Sequence, residues 1–303
     1  MITYIEGDLF QSPAKVLVNA VNTVGVMGKG IALQFKKRYP DMFRDYRELC
    51  ERKDFTIGKL HLHTLAEKWI LNFPTKTHWR RPSKLEYIEE GLKCFEKKYA
   101  EAGIESIAFP LLGCGNGELP WHDVKPMMEK HLKRLPIQVF IYLYKNETLR
   151  PEHRCPHETN HWIHADPKAI PFQTVLEDIK SSLEANPNLK TLETGTNLKA
   201  RITVNQQREK LQLEAKERTL EIDREDLLDL WHLLRDNDYL YANLVSQRLP
   251  FEYLMPIFLR LPYVTFTEVK DSGRAGKNRA LCLVPGESQP LLRENELPLI
   301  KAK

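Results

Sequence analysis

The chain has 303 residues, enough for two domains of ordinary size. Its 42% hydrophobic and 28% charged content is that of a globular protein, and no apolar run approaches the ~20 residues that span a bilayer, which excludes a helical membrane span. The net charge of +4 is uneven: residues 1–150 hold 24 Lys and Arg against 18 Asp and Glu, while residues 151–303 hold 21 against 23. A basic first half suits a polyanionic substrate there.

In chain order, residues 3–5 enter a strand pattern at once, with no basic stretch and hydrophobic core ahead of them. No signal peptide is therefore expected, and the expected location is cytoplasmic. Glu6-Gly7-Asp8-Leu9 follows this strand. The apolar run Val16-Leu17-Val18-Asn19-Ala20-Val21-Asn22 reads as a buried strand ending in amides. Next come Gly25-Val26-Met27-Gly28-Lys29-Gly30-Ile31-Ala32 and a helix over residues 31–38. A glycine turn followed by a helix N-terminus suits a phosphate. The spacing is not that of a P-loop.

Helices are expected over residues 41–52, 85–102 and 121–134, and further strands over 59–65, 69–73, 106–109 and 137–143. Tyr87, Ile88, Leu92, Phe95 and Tyr99 give the third helix one apolar face. Gly113-Cys114-Gly115-Asn116-Gly117 forms a second glycine loop after a strand. Two such cradles on one sheet suggest a diphosphate ligand. Interleaved strands and helices predict a three-layer α/β/α sandwich around a mixed sheet, with ligands at the carboxyl ends of the strands.

Residues 151–199 are rich in Pro, His, Asn, Thr and Lys and read as a linker with one helix over 172–183. Residues 200–303 read as a smaller α+β domain. A strand is expected over 201–204, a hairpin or a helix over 211–222, and a helix capped by Asp223 running to Leu234. A helix over 250–261 and strands over 263–269 and 279–284, joined by Asp271-Ser272-Gly273-Arg274-Ala275-Gly276, complete a winged-helix-like order. The five cysteines fit free thiols in a reducing compartment. No metal site and no cofactor are expected.

Taken together, the Gly-Asp-Leu motif, the Val-Asn-Ala-Val-Asn strand and the two glycine loops resemble a macrodomain, the module that binds ADP-ribose. The resemblance covers about residues 1–146, so the first domain is placed at 1–150. It implies that Asp8 and Leu9 hold adenine and that Asn19 and Asn22 meet ribose hydroxyls, with Asn22 facing the distal ribose. Capping of the turns is an equally physical use of those three polar residues. Gly28, Lys29, Gly30, Ile31, Gly113, Cys114, Gly115, Asn116 and Gly117 would line the diphosphate.

The loop form, followed by Phe35-Lys36-Lys37, and the segment Leu71-Asn72-Phe73-Pro74-Thr75-Lys76-Thr77-His78-Trp79-Arg80 are similar to the branch with terminal ADP-ribose glycohydrolases and DarG-type antitoxins. That branch implies Lys76, with Asn22, as the catalytic residues. The substrate would be ADP-ribose on thymidine of single-stranded DNA, the partner a DarT-type ADP-ribosyltransferase toxin held by the C-terminal domain. Lys76 could act as a covalent nucleophile or by charge and proton transfer. Relatives acting on proteins carry an aspartate where Gly117 stands, and Glu118 beside it is expected to point elsewhere. His78, Trp79, Arg80 and Arg81 could meet DNA through stacking and phosphate contacts, unless Trp79 is core. Residues 214–238 hold nine acidic residues against four basic ones, a possible mimic of DNA for the toxin or simply a solvated face. The alternatives are a non-catalytic ADP-ribose reader and a regulator sensing ADP-ribose. Residues 250–261 hold only Arg260 as a basic residue, which argues against base readout.

Overall fold

A computed structural model describes residues 1–143, 150–205, 208–215, 218–246, 248–270 and 277–284. The expected hairpin tip at 271–276 lies outside these residues. The chain divides into two compact units, Met1–Asn160 and His161–Lys303.

In the first unit, β1 (Ile2–Ile5), β2 (Val16–Asn22), β3 (His61–His63), β4 (Trp69–Lys76), β5 (Ser106–Phe109) and β6 (Gln138–Tyr142) form one sheet. Its order is β1-β6-β5-β2-β4-β3, parallel except for the edge strand β3. Central parallel strands are covered on both faces and read as near-continuous apolar runs, as Val16-Leu17-Val18 and Trp69-Ile70-Leu71 do. Helices α1 (Gly30–Arg38), α2 (Pro40–Glu51), α3 (Leu85–Lys98) and α4 (Trp121–Leu132) supply the outer layers. Val16, Val18 and Phe73 pack with Ile88, Leu92 and Phe95 of α3 and with Val124 and Met128 of α4. Strand alternation turns Asn19 and Asn72 to the other face, where Asn72 meets Met42 of α2. The three-layer expectation holds; the Asp8 turn and both glycine loops follow the carboxyl ends of strands, while Asn22 and Lys76 are the last residues of β2 and β4.

A short helix, α5 (Pro156–His164), runs across the division between the units. In the second unit, α6 (Phe172–Ala185) precedes a four-stranded antiparallel sheet of β7 (Asn188–Lys190), β8 (Asn197–Asn205), β9 (Arg208–Ala215) and β10 (Arg218–Asp223). The ambiguous 211–222 region is thus a hairpin. Its alternation decides this, since Leu211, Leu213 and Ala215 are buried on one face. Then come α7 (Arg224–Asn237), β11 (Tyr239–Tyr241), a 3-10 turn at Ala242–Leu244, α8 (Phe251–Phe258), β12 (Val264–Lys270) and β13 (Lys277–Leu283). In the sheet order β11-β13-β12 the first strand pairs antiparallel with the last.

The segment expected as a linker is structured. Residues 150–160 belong to the first unit, and α6 buries Phe172, Val175, Leu176, Ile179 and Leu183 in the second. The helix expected over 172–183 is present and two residues longer, while α5, β7 and the start of β8 went unread in the polar composition.

Candidate functional site

The first glycine loop is built by Asn22. Its Oδ1 accepts from the N–H groups of Val24 (3.0 Å) and Val26 (3.3 Å), and its Nδ2 donates to the Val26 carbonyl (2.6 Å). Tyr46 of α2 donates its hydroxyl to the Asn22 carbonyl at 2.7 Å, fixing the strand end. Gly30 opens α1 at φ +58°, and a Cβ there would stand 3.1 Å from Asn116 of the second loop. Lys29, the preceding residue, makes no side-chain cap. The first-turn N–H groups of α1 are therefore left for a ligand.

The second loop is closed by its own backbone. Leu119 N–H donates to the Gly113 carbonyl (2.9 Å), and Ser83 N–H donates to that of Gly117 (3.0 Å). A Cβ on Gly117 would lie 2.2 Å from Ser83 Oγ and 2.3 Å from the Gly113 oxygen. The aspartate that some macrodomains carry here cannot enter this loop as folded.

Between the loops lies a cavity of ≈ 290 Å³. It is lined by Asp8, Leu9, Asn22, Lys29, Gly30, Ile31, Lys76, Gly113, Cys114, Gly115, Asn116 and Gly117, so twelve of the expected residues converge on one space. Asp8 also caps the 3-10 turn after it, accepting from Phe10 N–H. Phe10 and Tyr142 line the cavity as well, and sequence reasoning missed both. Burial pushes the Cys114 thiol up to about 12, which leaves it without thiolate character.

Other expected residues stand elsewhere. Asn19 is fully buried beneath the site and donates to Asn72 across the β2–β4 pair (2.9 Å), and neither it nor Gly28 lines the cavity. Trp79 is only 1% exposed, with the Arg80 guanidinium over its ring at 4.2 Å. It is core, so the expectation of base stacking by Trp79 is corrected. Arg80 and Arg81 are exposed and His78 half-buried, just beyond the end of β4, but none lines the cavity.

Lys76 reaches the cavity through a local irregularity. Pro74, which has no N–H for the ladder, pairs with Val21, and the register then slips so that Lys76 pairs with Asn22. Such slips re-aim side chains beside sites. Lys76 is 5% exposed, and its Nζ has no hydrogen-bond partner among the described residues. At 3.7 Å stands Glu152 Oε2, itself 5% exposed and part of the cavity wall. Burial lowers the Lys76 pKa, only partly offset by the Glu152 carboxylate. The same burial raises that of Glu152 against the pull of Lys76 and Lys29. Both charges are disfavoured by desolvation.

Glu152 sits in a 3-10 turn, Glu152–Arg154, that Glu118 holds down. Glu118 Oε2 meets His153 Nε2 at 2.6 Å, and its Oε1 meets the Arg154 guanidinium at 2.6 Å. Burial raises the Glu118 pKa, but those two partners outweigh it and hold the carboxylate lower. Its charge also reaches Lys76, and its contacts with His153 and Arg154 lead to the acid that faces Lys76. Nothing in the polar run Pro151-Glu152-His153-Arg154 marked Glu152 as buried.

A glycine-loop cavity thus stands at the carboxyl edge of a six-stranded mixed sheet with helices on both faces, the architecture of the macrodomain fold. Residues 18–128 match the Macro domain family. A curated Thermus aquaticus protein named DNA ADP-ribosyl glycohydrolase is 47% identical over 147 residues, covering 47% of this chain and 41% of that protein. A Mycobacterium tuberculosis protein of the same name is 50% identical over 147 residues, covering 47% and 42%. A Thermosipho africanus protein, named a DNA ADP-ribosyl transferase-DNA ADP-ribosyl glycohydrolase fusion, is 40% identical over 161 residues, covering 47% and 42%. The chain thus spans about two fifths of the length of the curated relatives it matches.

Proposed function

We propose that this chain is a cytoplasmic DNA ADP-ribosyl glycohydrolase that removes ADP-ribose from thymidine in single-stranded DNA. The observation that carries the reading is the buried amine of Lys76 in the wall of a cavity whose two glycine loops suit a diphosphate. A desolvated lysine placed at the far end of a bound ADP-ribose has the lowered pKa that proton transfer or nucleophilic attack requires. Asn22 serves this chemistry by setting the loop, and the register slip after Pro74 brings Lys76 opposite it. The exposed Arg80 and Arg81 offer charge to a DNA backbone next to the site. Relatives named for this activity, 47% and 50% identical, support the substrate.

The test is incubation of the full chain and of Lys76→Ala with a thymidine-ADP-ribosylated oligonucleotide. Free ADP-ribose is expected from the wild type and a fall of at least 10²-fold from the variant. Release from neither would end the reading, and ADP-ribose binding without release would make the chain a reader.

The second unit is proposed to bind and neutralise a DarT-type ADP-ribosyltransferase toxin. The fusion relative, whose name joins transferase and glycohydrolase, supports this pairing. In α7 the side chains of Glu225, Asp229 and Asp236 are exposed, a face suited to a basic DNA groove. By contrast α8 buries Phe251, Leu254, Met255, Ile257 and Phe258, and its one charged residue is Glu252, which does not favour reading DNA bases. Reversing Glu225 and Asp229 to Lys in the full chain should weaken capture of the purified toxin at least tenfold. Unchanged capture would remove α7 from the interface.

A further inference from the structure

We propose that Glu152 is a catalytic residue of this site, the proton acceptor that works beside Lys76 in the cavity wall. The inference rests on the glycohydrolase reading and deepens it. Three observations carry it. Glu152 and Lys76 wall the same cavity, 3.7 Å apart, and both are almost wholly buried. The second glycine loop, shut at Gly117 by Ser83 and by its own backbone, has no room for an acid. And the turn carrying Glu152 is pinned by a dedicated clamp from Glu118 to His153 and Arg154. A merely structural acid would need neither the cavity position nor the clamp.

The carbon–nitrogen bond to the base breaks first, its electron pair leaving on nitrogen, and an oxocarbenium ion remains at the anomeric carbon of the distal ribose. Water then adds to the face the base has left, so the new carbon–oxygen bond forms on the side where both groups stand, 3.7 Å apart. Glu152 takes the water's proton, and the Lys76 ammonium gives one to the leaving nitrogen. Transfer of the proton from Glu152 back to Lys76 restores the pair. Burial tunes each group for its part, since a raised pKa makes Glu152 the stronger base and a lowered one makes Lys76 the stronger acid. The charged and titratable groups around Glu152 are Lys76 of β4, Lys29 before α1, Tyr46 of α2 and Glu118 beyond the second loop. Glu118 acts through the turn and is a positioning residue.

The experiment records kcat against pH for the full-length wild type, Glu152→Gln, Glu152→Asp and Glu118→Gln on the ADP-ribosylated oligonucleotide, with ADP-ribose binding measured by calorimetry. In Glu152→Gln we expect kcat to fall about 10²–10⁴-fold, the acidic limb of the profile to vanish and ADP-ribose to remain bound. Glu152→Asp should keep the limb at a reduced rate, and it carries the test if the Gln variant fails to bind. Glu118→Gln should lower kcat while leaving the limb in place. Wild-type kcat and an unaltered profile in Glu152→Gln, with Lys76→Ala inactive, would overturn this inference and leave the glycohydrolase reading intact. Absence of activity in the wild type would overturn both.

Discussion

Lys76 and Glu152 each sit in a place that a charge disfavours, and that cost is visible in their opposite pKa shifts. A carboxyl whose folded pKa is raised adds stability below its unfolded value and loses it as pH climbs through the folded one. An amine whose folded pKa is lowered costs stability wherever it stays protonated. At neutral pH both costs act together, so replacing the pair by apolar side chains, as in Lys76→Met with Glu152→Leu, should stabilise the fold by about 1–4 kcal/mol. The same double variant should be inactive. Urea denaturation at pH 7 checks the first expectation; a double variant less stable than the wild type would mean that the pair supports the fold. Asn22 and Asp8 illustrate why residue roles were only half legible. Their sequence context suggests both ligand binding and capping, and in the structure each caps a turn while also lining the cavity.

At the scale of elements, period and punctuation carried most of the information. A run of apolar residues ending in amides, a glycine turn and a helical pattern located β2, the first loop and α1 to within a residue or two. The 3-10 turn of Glu152 has three residues and no period, so only the folded chain exposes it. Lys76 could be placed by resemblance, but the register slip at Pro74 that aims it could not be read from spacing. The second loop separates two uses of glycine. Gly115→Ala meets nothing within 4 Å and should leave stability within about 0.5 kcal/mol while lowering ADP-ribose affinity. Gly117→Ala forces Ser83 and the Gly113 carbonyl apart and should cost about 1–3 kcal/mol in thermal or urea unfolding. Equal stabilities for the two variants would show that the loop gives way more easily than its contacts imply.

For the molecule as a whole, two compact units share one chain, and the cavity belongs to the first. Saturating ADP-ribose at a hundred times its Kd should add about 2.7 kcal/mol to the opening of that unit. Hydrogen exchange reads this as roughly hundredfold slower exchange of the most protected amides of β2, β4 and β5; no slowing there would place the ligand elsewhere. No helix among the described residues is long and apolar enough to cross a membrane. The Macro domain match stops at residue 128, yet the acid facing Lys76 comes from residue 152. A domain cut just after β6 would keep the whole sheet, both glycine loops and the lysine, and should still bind ADP-ribose. It would lack half of its proton relay. By the proposed pairing of Glu152 with Lys76, assays on such a trimmed domain should report a receptor and assays on the longer chain a catalyst, so that the choice of where to cut decides which of the two an experimenter sees.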